Sequence, residues 1–398
     1  MTPKSFYTFL LGLATLALAA TLPPTDYDVI IVGGGPAGLS ALSGFSRVRR
    51  RAALFDSHEY RNGPTREMHD VIGNDGTRNP PAKFRALARE QISRYDTATF
   101  IDREILSIEQ QQLADLEPNL TTTTTTTVFR ATDATGASYT ARKIVLGTGL
   151  VDVLPTTPGL QESFGKGIFW CPWCDGYEHR DQPLGILGTL PHIVSSVLEI
   201  STLNTDIIAF VNGSHTEPAD AALTLQTPHW KAQLAASNAR IENRTIAAIE
   251  RVQDGGRVHD DRARDQQFDV FRVRFTEGEP VLRNAFLTNF ETAQRSRIPA
   301  QLGLDMKDGK VDTSVYSGMR TSVPGVFAVG DCNSDGSTNV PHAMFSGKRA
   351  AVYGHVEMAR EESAAAIAKR GLSRRAMEKE TERIIGNELE DLWDRAKV

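Results

Sequence analysis

Short, continuous apolar runs alternate along this chain with stretches of helical period, the pattern of parallel strands buried on both faces and joined by helices. Residues 27–32 form such a run, and the glycine-rich turn from Gly33 to Gly38 follows at once. Residues 39–48 are small and apolar on one face and predict a helix. Residues 52–56 predict a second short strand that ends in an acid, Asp56, completing a βαβ unit. A second strand, turn and helix begins near Leu184, with residues 207–211 as its following strand. A third segment, residues 321–331, combines a Pro-Gly turn, a buried strand and a Gly-Asp end, followed by a helix over 344–358. The pattern is that of an α/β chain with two nested α/β units.

Other segments predict surroundings more than chemistry. The threonine run 121–127 reads as an exposed hairpin tip or strand edge, and the charged tail 374–398 as a surface helix or a partner-facing one. Lys4, the apolar run 6–20 and its small-residue end predict a secretory signal peptide over residues 1–20, too short for a membrane anchor. Sequons at Asn119, Asn212 and Asn243 would accept glycans on that route. With 398 residues there is room for two or three domains, and the net charge of -5, spread along the chain, gives no argument for nucleic acid or membrane partners. Three cysteines are too few for a disulfide scaffold.

Chemistry enters with two motifs. In Gly33-x-Gly35-x-x-Gly38, the first glycine permits the tight turn, the second lets backbone approach a pyrophosphate, and the third lets helix pack on strand. Pro36 and Ala37 open the helix whose N-terminus favours phosphate, and Asp56 stands where a ribose hydroxyl would be accepted. The second motif is Cys171-Pro172-Trp173-Cys174, followed by Asp175. Its spacing allows a small disulfide ring open to thiol exchange. A zinc site with His179 and His192, and a purely structural disulfide, are the alternatives.

Together with Gly147-Thr148-Gly149 and the segment from Met319 to Asp331, these motifs resemble the pyridine-nucleotide-disulfide oxidoreductases, specifically the low-molecular-weight thioredoxin reductases. The resemblance covers almost the whole chain after residue 20. It implies a three-layer ββα fold, with an FAD domain over 27–155 and 289–373 and a smaller NAD(P)-type domain inserted at 156–288. It implies FAD held by Gly33, Gly35, Pro36, Ala37, Gly38, Asp56, Arg61, Asn62, His69, Gly330, Asp331, Asn339 and Val340, and a homodimer. By the same resemblance Cys174 faces the flavin, Cys171 exchanges with substrate and Asp175 handles the proton. Cys332 is expected to be a small buried residue beside the flavin, and His342 a weaker candidate contact than His69.

The inserted domain departs from the family. If Gly188 is the first glycine of its turn, Leu190 and Ile193 occupy the positions of a glycine and a small residue, and both are expected to obstruct nicotinamide binding. Residues 212–217, which follow the strand 207–211, hold no arginine where NADPH-using members grip the 2′-phosphate. The region 56–95 is similar to the fungal branch that includes gliotoxin-type dithiol oxidases. That likeness implies a small-molecule dithiol as electron donor and dioxygen as acceptor. An NAD(P)H-dependent disulfide reductase and a non-catalytic FAD-binding module are the alternatives.

Overall fold

In a computed structural model that describes residues 24–74, 80–112, 127–256 and 266–369, the first strand, β1 (Tyr27–Val32), runs at the centre of the first sheet. It feeds through the glycine turn into α1 (Pro36–Ser46), which Pro36 opens at its first position. Then come β2 (Ala52–Phe55), α2 (Pro81–Ile92), β3 (Ala98–Ile101), β4 (Ile105–Gln112), β5 (Thr127–Asp133) and β6 (Ser138–Leu146). The strand order is β3-β2-β1-β6-β5-β4. The strand β6 serves two layers. Its first half pairs antiparallel with β5, while its second half pairs in parallel with both β1 and the returning strand Val326–Ala328.

Because β1 is buried on both faces, its alternate side chains enter two cores. Val29 and Ile31 pack with Leu39, Leu42 and Phe45 of α1, whereas Ile30 and Val32 pack with Ile108 and Phe129 of the β4–β5 layer. That is the expected ββα arrangement. The long helix Val340–Lys369 lies on α1, and at the contact a Cβ on Gly347 would stand 2.1 Å from the Ala37 carbonyl oxygen. The lack of a side chain lets the two backbones meet and brings the helix start, Asn339 and Val340, to the mouth of the glycine turn.

The chain leaves this unit along β7 (Leu150–Asp152) and builds a parallel sheet from β8 (Ile168–Phe169), β9 (Leu184–Leu187), β10 (Ile207–Phe210), β11 (Ala239–Glu242) and β15 (Ala285–Thr288). Its order is β11-β10-β9-β15-β8, and α3 (Leu190–Ile200) follows β9. A three-stranded antiparallel sheet of β12 (Ile246–Gln253), β13 (Val270–Phe275) and β14 (Val281–Arg283) packs on it through Ile249, Phe271 and Phe286. The chain returns along β16 (Thr292–Gln294), which pairs antiparallel with β7. Two adjacent strands thus form the crossing between the units. The helix predicted over 344–358 runs longer at both ends, from Val340 to Lys369. The leader 1–20, Asn119, most of the threonine run and the tail 374–398 lie outside the described residues. No described helix is long and apolar enough to cross a membrane.

Candidate active site

A cleft with about 1410 Å³ of empty space opens where β1, β2 and β6 end. At its base Gly33 has φ +109°, a conformation that side chains disfavour, and a Cβ there would collide with the Gly147 carbonyl oxygen at 2.2 Å. Gly35 differs: nothing lies within 4 Å of its absent Cβ, so its backbone faces open space. The first turn of α1 carries no side-chain cap, which leaves its positive end available to an anion. This cradle fits a dinucleotide pyrophosphate. Pro36 and Ala37 also line it, whereas Gly38 does not: a Cβ at Gly38 would meet the Gly33 carbonyl oxygen at 1.9 Å, so that glycine serves helix-on-strand packing.

Along the cleft, Asp56 is buried and accepts from the Tyr60 hydroxyl at 2.6 Å, its own loop at His58 N at 2.9 Å, and Arg89 Nη1 of α2 at 3.3 Å. The acid expected to take a ribose hydroxyl is therefore already held by three protein donors, and Tyr60 and Arg89 are partners that the motif did not reveal. Asn62 lines the wall and accepts from Arg85 at 3.4 Å. Arg61 donates to Asp331 at 3.0 Å and, through two nitrogens, to Asp152 at 2.7 and 2.9 Å, with its guanidinium 5.1 Å from the Trp170 ring centroid. Gly330, Asp331, Asn339 and Val340 complete the wall, with Val340 N donating to Asp70 at 3.2 Å. Asp152, Trp170 and Arg295 also line or flank it from sequence-distant segments that no local pattern marks.

Cys171 and Cys174 are joined as a disulfide. Pro172–Gly176 forms one helical turn in which the amides of Cys174 and Asp175 donate back to the Cys171 carbonyl at 3.1 and 3.2 Å. This turn points Cys174 and Asp175 into the cleft wall, while Cys171 is not part of that wall. Trp173, between them, is 74% exposed. Burial, with the Glu178 carboxylate next, pushes Asp175 up to about 7; His69 and Arg66 oppose the rise and Asp70 adds to it. Asp175 thus holds and releases a proton near neutrality. His69 lines the cleft with Nε2 3.5 Å from Glu67 and Nδ1 3.6 Å from Glu178.

The remaining candidates fall elsewhere. Cys332 is buried in the sheet core, and burial pushes its thiol up to about 11, so it is inert at neutral pH. His342 pairs with the buried Asp335 at 2.7 Å and is not part of the cleft wall. The four residues of the zinc alternative are dispersed: the cysteines are bonded, His179 stacks on Phe169 at 5.5 Å, and His192 lies in a second cavity. Of the sequons, Asn243 donates its amide nitrogen to the His215 carbonyl at 3.0 Å, so a glycan there would cost that bond.

The second cavity lies at the carboxyl ends of β9 and β10, between Gly188, Thr189, Val211, Asn212 and Ser214. The expected obstruction is not what the structure contains. Leu190 and Ile193 are wholly buried in the core between α3 and its sheet and do not line the cavity. As helix residues on the sheet side they turn inward, away from a bound phosphate. The cavity differs from a phosphate site in another way: the Leu190 amide already donates to Ser214 Oγ at 3.1 Å, and among the described residues neither lysine nor arginine lines it.

A family model described as pyridine nucleotide-disulphide oxidoreductase matches residues 27–194. A probable thioredoxin reductase of Arthroderma benhamiae is 52% identical over 382 residues, covering 94% of this chain and 92% of its own. Thioredoxin reductase tcpT of Claviceps purpurea is 32% identical over 327 residues, covering 80% and 90%. The solved structure of HlmI matches with a TM-score of 0.70 at 28% identity, over 87% of this chain and 98% of that one. The sequence likeness spans both units, and the flavin-type cleft with a disulfide at its wall is built from the same chain. The protein belongs to the thioredoxin reductase-like pyridine nucleotide-disulphide oxidoreductases, FAD-dependent enzymes that act on disulfides.

Proposed function

We propose that this enzyme runs as a dithiol oxidase, closing a disulfide in a small-molecule dithiol and passing the electrons to dioxygen, with hydrogen peroxide as by-product. The observation that carries the reading is the second cavity, which among the described residues has no lysine or arginine in its lining and has an amide already capped by Ser214. A 2′-phosphate would find no guanidinium there. We place Gly33, Gly35 and the first turn of α1 at the pyrophosphate, and Arg61, Asn62, His69, Asp331, Asn339 and Val340 along the rest of the cofactor. The bound FAD supplies two-electron chemistry, accepting an electron pair from thiols and yielding it to dioxygen.

The chain's own residues do the sulfur and proton work. A substrate thiolate attacks Cys171 Sγ, and the Cys171–Cys174 bond breaks with Cys174 leaving as thiolate. The second substrate thiol then attacks the substrate sulfur of the mixed disulfide, breaking its bond to Cys171 Sγ and releasing the oxidised product and Cys171 as thiol. Asp175, poised near neutrality, takes a proton from the pair and returns it. Each cycle moves two electrons and two protons from dithiol to dioxygen. We also propose a secreted homodimer, on the signal-like residues 1–20 and on the family resemblance.

The second reading, an NAD(P)H-dependent disulfide reductase, is favoured by the name thioredoxin reductase that relatives carry and by the cavity's presence at the end of β9. Anaerobic stopped-flow separates the two. Dithiothreitol is expected to bleach the flavin and air to restore it, with peroxide formed in step with disulfide. Rapid, saturable bleaching by micromolar NADPH would overturn the oxidase and establish the reductase.

A further inference from the structure

The disulfide turn and the cleft belong to different units, whose chain crossings are the paired strands β7 and β16. A two-stranded ribbon fixes a distance better than an angle. What holds Cys174 at the cleft wall is therefore side-chain contact between the units, and Arg66 makes a four-bond version of it. Its Nη1 donates to Gln267 Oε1 at 2.6 Å and Asp269 Oδ2 at 2.8 Å. Its Nη2 donates to Asp254 Oδ1 at 2.6 Å and Asp269 Oδ1 at 2.9 Å. The two bonds to Asp269 form a bidentate fork, which fixes direction as well as distance.

Both ends of this contact reach the reacting groups. Arg66 stands between Thr65 and Glu67, in the segment that puts Met68, His69 and Asp70 into the cleft wall. Across the junction the Gln267 backbone amide donates to the Glu178 carbonyl at 2.8 Å, in the turn Tyr177–His179 that continues the Pro172–Gly176 turn. Asp269 is fully buried and also accepts from Arg251 Nη1 at 2.7 Å, and Arg251 Nη2 donates in turn to the Lys166 carbonyl at 2.5 Å, just before β8. The strand β8 leads into Cys171. Close packing accompanies the ion pairs: a Cβ on Gly165 would lie 3.1 Å from the Thr65 amide.

We propose that Arg66 is a positioning residue that clamps the inserted domain so that Cys174 and Asp175 stay at the flavin cleft. It touches neither disulfide nor cleft wall, so it acts on the reaction through position and, by its charge, through Asp175, whose pKa it lowers. Its removal does not strand the buried carboxylate, because Asp269 keeps Arg251 and the Gly255 amide at 2.9 Å. The clamp rests on Cys174 being the flavin-facing thiol.

The test places Arg66→Met and Arg66→Lys in the Cys171→Ser chain and in the otherwise unchanged chain. Expected for Arg66→Met are retained FAD, loss of the long-wavelength thiolate-to-flavin absorbance, and a kcat for dithiothreitol lowered by about 10- to 100-fold at little-changed KM. Arg66→Lys is expected to recover part of both, since an ammonium replaces one arm of the fork. Absorbance and kcat within about twofold of the parents, with flavin bound, would overturn the clamp. Should Arg66→Met fail to hold flavin, Arg66→Lys, which keeps the charge and loses the fork, decides: a weakened band supports the clamp and an unchanged one overturns it. If Cys171→Ser with Arg66 intact gave no band, the assignment of Cys174 would fail, and the clamp would be judged on kcat alone.

Discussion

Arg61 donates its Nη1 to Asp331 Oδ2 across 3.0 Å, joining two residues 270 positions apart in the chain. The contact ties the loop after β2 to the Gly-Asp end of the returning strand, and so closes the cleft from both halves of the domain. Arg61 keeps Asp152 when Asp331 is removed, so the loop stays in place and the loss falls on the ligand side.

Asp331→Ala is accordingly expected to lower FAD affinity by about ten- to a hundredfold, the worth of one charged hydrogen bond at roughly 1.5–3 kcal/mol. Flavin per chain, read from absorbance before and after denaturation, checks it. Cys171→Ser should keep full occupancy, because its thiol is not in the cleft wall.

The cysteines should divide their labour. With Cys171→Ser, Cys174 is left as a free thiol at the cleft and gives a long-wavelength charge-transfer band; Cys174→Ser gives none. Both stop dithiol turnover. Reversed spectra would mean that the exchange and flavin-facing thiols have been assigned the wrong way round.

Asp175 carries a pH signature. Its folded pKa is raised from 3.8 to about 7, so between those values the folded state binds the proton more tightly than the unfolded chain, and stability falls as pH rises through that window. Asp175→Asn removes the cost of the buried charge. The variant should gain thermal midpoint over its parent at about pH 8 and lose that advantage at about pH 4. The turnover profile should also lose its inflection near neutrality. A parent-like inflection in Asp175→Asn would assign the proton to another group.

Leu190→Ala tests where the inserted domain differs from a nucleotide site. Truncating a fully buried leucine costs about 2–5 kcal/mol, so the melting temperature should drop. The rate of flavin reduction by NADPH should stay within about twofold, since the removed atoms do not face the cavity. A marked gain in NADPH reactivity would show the leucine to be the barrier after all.

Much of this protein was legible in one dimension because its chemistry is written in contiguous motifs. The turn from Gly33 to Gly38, the Cys171–Cys174 spacing and the Gly330-Asp331 strand end each need particular residue types at fixed offsets, since backbone curvature or ring closure admits few others. Buried strands such as β1 announce themselves by unbroken apolar character. Those features settled the fold class, the cofactor and the redox pair. Three things only the tertiary structure decided. Leu190 and Ile193 were expected in the nucleotide space, yet helix phase turns them into the core. Asp56 was read as a ribose acceptor, and only the folded chain shows that Tyr60 and Arg89 also reach it, from the following loop and from α2. Arg66 gave no signal at all, because a charged side chain in a loop looks the same whether it meets water or the buried Asp269 some 200 residues away. A sequence encodes local geometry at each position, whereas partners that meet across folded units are specified only once both units exist.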